Sequence, residues 1–172
     1  RLRTLKITPK SQGVFGLVEN SAKEVFASWS ARSGTVLSGY SKGKPRVPSA
    51  LAPNSACIFT ELPPGCEEKE RKVIGAFMVH EDFDGRLCTD GIIKAHDKFR
   101  IKLEDGETPP FWDYMNLDSL PLSWGGVEIR YCTNLIVKKI LYDLIELIEE
   151  PVRKKQAEWL YRYYCTVNRL PE

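Results

Sequence analysis

The sequence predicts an α+β fold: a small mixed or antiparallel β-barrel with flanking helices and a C-terminal two-helix pair. Three observations support this prediction. Several strand patterns follow one another between residues 55 and 133. The pattern at 72–79 is apolar at both alternating positions, which indicates a central strand with neither face exposed to water. From residue 133 onward, the apolar residues recur at helical spacing.

The first part of the chain predicts a strand, a helix and a loop. Residues 2–8 are typical of a short strand, and residues 19–34 of an amphipathic helix that ends at Gly34. Trp29 falls on the apolar side of this helix, so we expect it in the core. Glycine, proline and serine predict a loop over residues 38–55.

The central part predicts consecutive strands. Within the strand at 72–79, Gly75 indicates a bulge or the close approach of another backbone. Phe99, Ile101 and Leu103 alternate with basic residues, which is typical of a half-buried strand. The predicted strands cover residues 55–62, 72–79, 98–103 and 126–133.

The C-terminal part predicts two amphipathic helices that pack as an antiparallel pair against the sheet. They cover residues 133–150 and 151–168, and Pro151 separates them. Trp159 lies on the predicted inward side of the second helix.

We predict a single domain over residues 1–172, with a barrel core at about 20–131 and the helical pair at 133–168. The chain begins with Arg1 rather than Met, so we expect it to be cut from a longer protein whose other domains are potential partners. No run of about 18 apolar residues is present, so no membrane is expected as a partner. Five cysteines without a CxxC motif predict reduced thiols in an intracellular protein, cytoplasmic or nuclear.

Charge is distributed unevenly along the chain. Residues 1–50 contain nine Lys or Arg and two Glu, a net charge of +7, whereas residues 51–172 contain sixteen basic and twenty-one acidic residues, a net charge of −5. Such a distribution favours an anionic partner over a neutral one. The alternative is a solvated basic edge without a partner.

One part of the layout resembles a known superfamily. A helix, a basic Gly/Ser loop, a strand, a turn and the strand KVIGAFMV at 72–79 follow one another, and the aromatic segment FWDYM comes later. This arrangement resembles the small β-barrels of the PUA-like superfamily, which includes ASCH, EVE and YTH domains. The resemblance covers about residues 20–131, whereas the helical pair departs from the minimal barrel.

The resemblance implies a nucleic-acid-binding module that reads a flipped or modified base in an aromatic pocket. An extruded base needs aromatic faces and hydrogen bonds at its edge. The candidate residues of the base pocket are Trp112, Trp124, Tyr40, Asn54 and Ser55. The candidate phosphate contacts are Lys42, Lys44 and Arg46. For both tryptophans, a place in the core is the alternative.

Two other classes of function remain open. A protein-interaction or regulatory domain is compatible with the acidic turn around 66–70 and the basic side of the strand at 98–103. A small hydrolase acting on nucleosides or RNA would use residues near the central strands: Thr60, Glu61, Lys69 and His80. His80, Cys88 and His96 lack a recognised zinc-ligand spacing, and no phosphate-binding glycine motif occurs. No catalytic residue, metal or cofactor is therefore predicted.

Overall fold

The computed structural model describes residues 11–18, 21–115, 124–125 and 128–172. The predicted strand at 2–8 lies outside the described residues. The strands are β1 (Gln12–Leu17), β2 (Ser30–Arg32), β3 (Ala56–Glu61), β4 (Lys72–Val79), β5 (Ile92–Lys102) and β6 (Ile129–Cys132). The α-helices are α1 (Ala22–Ser28), α2 (Asn134–Leu147) and α3 (Pro151–Val167), and short 3₁₀ turns occur at Glu68–Glu70, Gly85–Leu87 and Phe111–Tyr114.

The six strands form one curled, mixed sheet in the order β2-β5-β4-β3-β1-β6. β1 runs parallel to β3, and every other neighbouring pair is antiparallel. The curl makes the sheet a half-barrel. The predicted α+β class and the mixed, barrel-like sheet are therefore confirmed.

β4 lies in the middle of the sheet, as predicted, and is buried from Val73 to Val79. The pairing register between β3 and β4 shifts between Phe59 and Thr60. Phe59 lies opposite Gly75, so the shift indicates a β-bulge beside this glycine. A Cβ atom at Gly75 would lie 2.7 Å from the Phe26 ring and 3.0 Å from the carbonyl oxygen of Ile101. Both expectations for this glycine, a bulge and a close approach, are confirmed.

Each face of the sheet has its own core. One face packs against α2 and α3 and includes Val14, Ile58, Met78, Ile101, Leu141, Leu144, Leu160 and Tyr164. The other face packs against α1 and the loop before β3 and includes Phe15, Leu51, Phe59, Ile74, Phe77, Ile93 and Ile129. This coverage explains why β4 is apolar at every position except its first.

The predicted helical pair is confirmed, but the inward position of Trp159 is wrong, because its side chain is 51% exposed. α3 buries Ala157, Leu160 and Tyr161 instead. These three residues recur at three- and four-residue spacing on one side of the helix, whereas Trp159, two residues after Ala157, lies about 200° around the helix axis from it. No helix among the described residues combines the length and the apolar character needed to cross a bilayer.

The predicted helix at 19–34 is too long. α1 ends at Ser28, and Trp29 adopts a left-handed conformation with φ of 49°. The next three residues form β2 and pair with β5, from Ser30 opposite Lys94 to Arg32 opposite Ile92. Hydrogen bonds to β5 thus replace helical ones. The Trp29 side chain still packs against the second core, as predicted.

Candidate functional site

A cleft of about 400 Å³ lies between α1 and the strands β1 and β2; we call it the α1 cleft. Its apolar lining comes from Phe15, Leu17, Val25 and Ala31. Its polar lining comes from Ser21, Glu24, Ser28, Ser30, Arg32 and Glu128. The cleft therefore combines apolar surfaces with hydrogen-bond donors and acceptors, as small-molecule sites usually do.

One wall of the α1 cleft is formed by the turn between α1 and β2. The left-handed Trp29 turns the chain, and its carbonyl oxygen accepts a hydrogen bond from the Ala95 N–H at 2.9 Å. Two residues beyond β2, Gly34 has φ of 90°, and a Cβ atom there would overlap the Glu128 carboxylate. The Glu128 carbonyl oxygen in turn accepts from the Gly16 N–H at 2.9 Å. Glu128 is thus held against the start of the next segment.

That segment, residues 35–46, is an exposed β-hairpin that we call the basic hairpin. Thr35 pairs with Pro45, and the Val36 N–H donates to the Lys44 carbonyl oxygen at 3.0 Å. The base is held by the Arg46 N–H, which donates to the Gly34 carbonyl oxygen at 2.8 Å, and by the Ser33 hydroxyl, which donates to the Arg46 carbonyl oxygen. The hairpin therefore starts at the rim of the α1 cleft.

The basic hairpin carries four of the predicted contact residues. Tyr40, Lys42 and Lys44 are exposed, and neither lysine forms an ion pair with any described residue. Arg46 is half-buried and donates to the Thr35 carbonyl oxygen at 3.2 Å. Burial raises the pKa of Tyr131 on β6 to about 12, and the positive charge of Arg46 acts in the opposite direction. Arg46 thus belongs to the packed base of the hairpin, while the lysines face solvent.

Trp112 and Trp124 do lie together, but inside the core. They are 8% and 7% exposed, and their rings meet edge to face at 6.4 Å. The Trp112 indole N–H donates to Glu68 at 3.1 Å, and the Arg71 guanidinium lies 4.5 Å above the Trp124 ring. Glu68 also forms an ion pair with buried Arg71. These contacts favour the structural alternative for both tryptophans.

Asn54 and Ser55 are buried in a separate polar network. Asn54 Nδ2 donates to Asn168 Oδ1 at 2.9 Å, and the Ser55 hydroxyl donates to the Ser11 carbonyl oxygen at 2.5 Å. Tyr40, by contrast, is fully exposed on the basic hairpin. None of the described contacts joins these residues to the two tryptophans. The predicted members of one base pocket are therefore found in three places.

The structure also separates the residues of the proposed hydrolase. Thr60 pairs with Val73 on β4, and its hydroxyl donates to the Phe15 carbonyl oxygen at 2.7 Å. His80 follows the far end of β4, seven residues from Val73, which corresponds to roughly 23 Å along a strand. Thr60 and His80 cannot act on the same bond at that separation.

The two histidines lie next to each other: His80 follows β4, and His96 lies within β5. The His80 and His96 rings stack with their centres 5.9 Å apart. The Cys88 thiol, the third of these candidate zinc ligands, donates hydrogen bonds to Asp90 and to the Ile92 carbonyl oxygen instead of facing the two rings. Among the described residues, no three His, Cys, Asp or Glu side chains are grouped as metal ligands.

Sequence reasoning missed the α1 cleft, because its polar residues come from three separate segments. Ser28 and Arg32 lie within the stretch at 19–34 that the sequence pattern predicts to be one helix, and Glu128 lies about a hundred residues later. Gly34 is the one local indication of this contact with Glu128, and the same glycine equally indicates the end of a helix. Comparison of the chain with protein-family models, curated proteins and solved structures finds no match.

Proposed function

We propose that this domain binds single-stranded DNA or RNA, with one unpaired base in the α1 cleft and the phosphate backbone on the basic hairpin. One observation carries the proposal: β2 lines the cleft with Ser30 and Arg32 and continues directly into the hairpin that presents Lys42 and Lys44. The resemblance to PUA-like barrels motivates the same function, and the curled mixed sheet is compatible with that resemblance.

The cleft has the chemistry that a base requires. Its volume of about 400 Å³ lies within the range of small-ligand pockets, roughly 300–1,000 Å³. Leu17 and Val25, both partly exposed, offer apolar surfaces to the faces of a base. Glu128 can accept a hydrogen bond from an exocyclic amino group, and Arg32 can donate to a ring nitrogen or carbonyl oxygen. A modified base would be distinguished at this polar edge.

The basic hairpin has the features of a phosphate contact. Its lysines are exposed and unpaired among the described residues, so their charge is not neutralised within the protein. Phosphate contacts release counterions, and the logarithm of the affinity for a single strand falls by about 0.7 per contact for each tenfold rise in salt. Backbone contacts and base contacts are therefore separable by experiment.

The test is a fluorescence titration with single-stranded and duplex oligonucleotides, plain and base-modified, at two salt concentrations. Ser28→Phe fills the cleft from the exposed side of α1, and we expect it to weaken binding by the value of the lost contacts to the edge of the base, about 1–3 kcal/mol, without changing the salt slope. Lys42→Ala combined with Lys44→Ala should instead reduce that slope by about 1.4. Gln156→Phe, on the exposed side of α3, is the matched aromatic control.

The proposal fails if no oligonucleotide binds more tightly than heparin, an acidic polymer without bases. It also fails if Ser28→Phe and Gln156→Phe have equal effects, because the cleft would then hold no part of the ligand.

A protein-interaction module is the second candidate, because several apolar side chains on the helical pair are exposed. Leu135 and Tyr142 lie seven residues apart on α2, and Val152 and Trp159 are equally spaced on α3. Residues seven apart lie on one side of a helix. The affinity for a protein bound to this surface should depend little on salt concentration, whereas the affinity for a nucleic acid bound to the basic hairpin should fall as salt rises.

A further inference from the structure

A second depression, of about 620 Å³, lies on the other side of α1 from the α1 cleft; we call it the basic groove. Lys23 from α1, Lys72 from β4 and Lys102 from β5 line it. Phe26 and Trp29 supply its aromatic surface, with their rings edge to face at 5.2 Å. α1 therefore separates two concave surfaces, one with a polar base-sized cleft and one with lysines and aromatic rings.

Two of the cations at the basic groove are held against aromatic rings. The Arg100 guanidinium lies 5.0 Å from the centre of the Trp29 ring, and Lys102 Nζ lies 5.5 Å from the centre of the Phe26 ring. A cation above a ring is attracted by the ring's electron density but keeps its positive charge. The rings therefore position these charges without neutralising them.

None of the four cations here, Lys23, Lys72, Arg100 and Lys102, lies within 4 Å of a carboxylate of any described residue. Glu61 and Asp105 line the groove but form no ion pair with them. Some other cations of the chain are paired internally, as Arg71 is with Glu68 and Arg153 with Glu107. Like charges that remain unpaired repel one another until an anion binds.

We propose that the basic groove binds the phosphate backbone of a single strand whose base occupies the α1 cleft, so that the strand passes across α1. This inference rests on the proposed function and adds the length and course of the ligand. The two sites flank α1: Val25 lines the cleft and the next residue, Phe26, lines the groove, so the strand has to span the width of one helix, about 10–12 Å with its side chains. A stacked strand advances about 3.4 Å per nucleotide, so a strand of roughly five nucleotides reaches both sites, whereas a dinucleotide reaches only one.

Oligonucleotide length provides the test. We expect a 15-nucleotide strand to bind more tightly than a dinucleotide of the same composition, because only the longer one reaches the groove. Lys102→Glu and Lys23→Glu each remove a phosphate contact, which at 0.1 M salt lowers affinity for the 15-mer at least about fivefold and flattens its salt slope by about 0.7. Affinity for the dinucleotide should not change.

Lys155→Glu is the matched control, since Lys155 is an exposed lysine on α3, which packs on the opposite face of the sheet. It should leave both affinities unchanged, and thermal unfolding should be the same for all three variants. The groove inference is overturned if the groove variants and Lys155→Glu affect the 15-mer equally. It is also overturned if polyglutamate competes as well as the 15-mer, because the groove would then fit an acidic protein.

The two proposals can fail separately. If the dinucleotide binds and Ser28→Phe abolishes its binding, but the groove variants leave the 15-mer unaffected, only the groove inference is wrong. If the 15-mer depends on Lys23 and Lys102 but not on Ser28, the phosphate contacts in the groove hold, whereas the cleft proposal and the course of the strand across α1 are wrong. If neither length binds, both are wrong.

Discussion

Asn168 connects three distant parts of the chain through one buried side chain, and its removal gives a quantitative test of the fold. The side chain is 1% exposed and follows α3 directly. Its Nδ2 donates to the carbonyl oxygens of Asn54 at 2.8 Å and Tyr164 at 2.9 Å. Its Oδ1 accepts from Asn54 Nδ2 at 2.9 Å and Gln12 Nε2 at 3.3 Å. The end of α3 is thereby attached to β1 and to the loop before β3.

The expected cost of Asn168→Ala follows from counting the groups that lose a partner. Gln12 Nε2 keeps a contact with the Ser11 hydroxyl at 3.4 Å, and the Tyr164 carbonyl oxygen keeps the Asn168 N–H at 3.1 Å. Asn54 loses a hydrogen-bond partner at two groups, its side-chain Nδ2 and its backbone carbonyl oxygen. Each buried polar group without a partner costs about 1–3 kcal/mol, so the free energy of unfolding should fall by about 2–6 kcal/mol.

Urea denaturation monitored by tryptophan fluorescence measures this change. Asn134→Ala is the matched control, because Asn134 lies in the first turn of α2 and its side chain forms no hydrogen bond within the described residues. We expect the control to alter the free energy of unfolding by less than about 0.5 kcal/mol. A loss below about 1 kcal/mol for Asn168→Ala would show that the buried network does not form, and would refute the reasoning.

Two further predictions concern the core. Leu141, 1% exposed, faces the sheet, so Leu141→Asp should prevent soluble expression, whereas Leu135→Asp, at a 64% exposed position, should express normally; equal expression would show that α2 does not pack as described. Burial raises the pKa of the Cys132 thiol from its usual value of 9.0 to about 12, so the thiol stays protonated in the folded protein while it ionises in the unfolded chain. The free energy of unfolding should therefore decrease between about pH 9 and pH 12, by up to about 1.4 kcal/mol per pH unit for this group, and Cys132→Ala should reduce that slope in chemical denaturation at several pH values; an unchanged slope would contradict the prediction.

Elements with a strong local pattern could be predicted from the sequence. The bounds of β4 agree with the prediction at both ends, because an eight-residue run between polar turns, rich in β-branched and aromatic side chains, is short for a buried helix and favours a strand. The helical pair was equally clear, since its apolar residues recur at helical spacing over more than thirty positions and Pro151 separates the helices. Gly75 was informative because a missing side chain in a buried strand implies that something else occupies the space.

The local signals were ambiguous at the site. Residues 30–32 are part of a helical pattern, yet they form β2, because β5 provides hydrogen-bond partners that are distant in sequence. Trp112 and Trp124 occur among prolines and glycines, as exposed loop residues do, but Glu68 and Arg71 hold them in the core. Trp159 occurs in an apolar helix but faces solvent.

The sequence by itself thus determined the class of fold, the central strand, the helical pair and the excess of positive charge in the first fifty residues, because these properties depend on composition and on contacts between near neighbours. The tertiary structure alone decided which polar residues meet. Ser28 and Glu128 line one cleft, and Lys23 and Lys102 one groove, although each pair is separated by more than seventy residues. Their proximity results from strand pairing and from the turn after α1, and no periodicity in the chain encodes such long-range contacts.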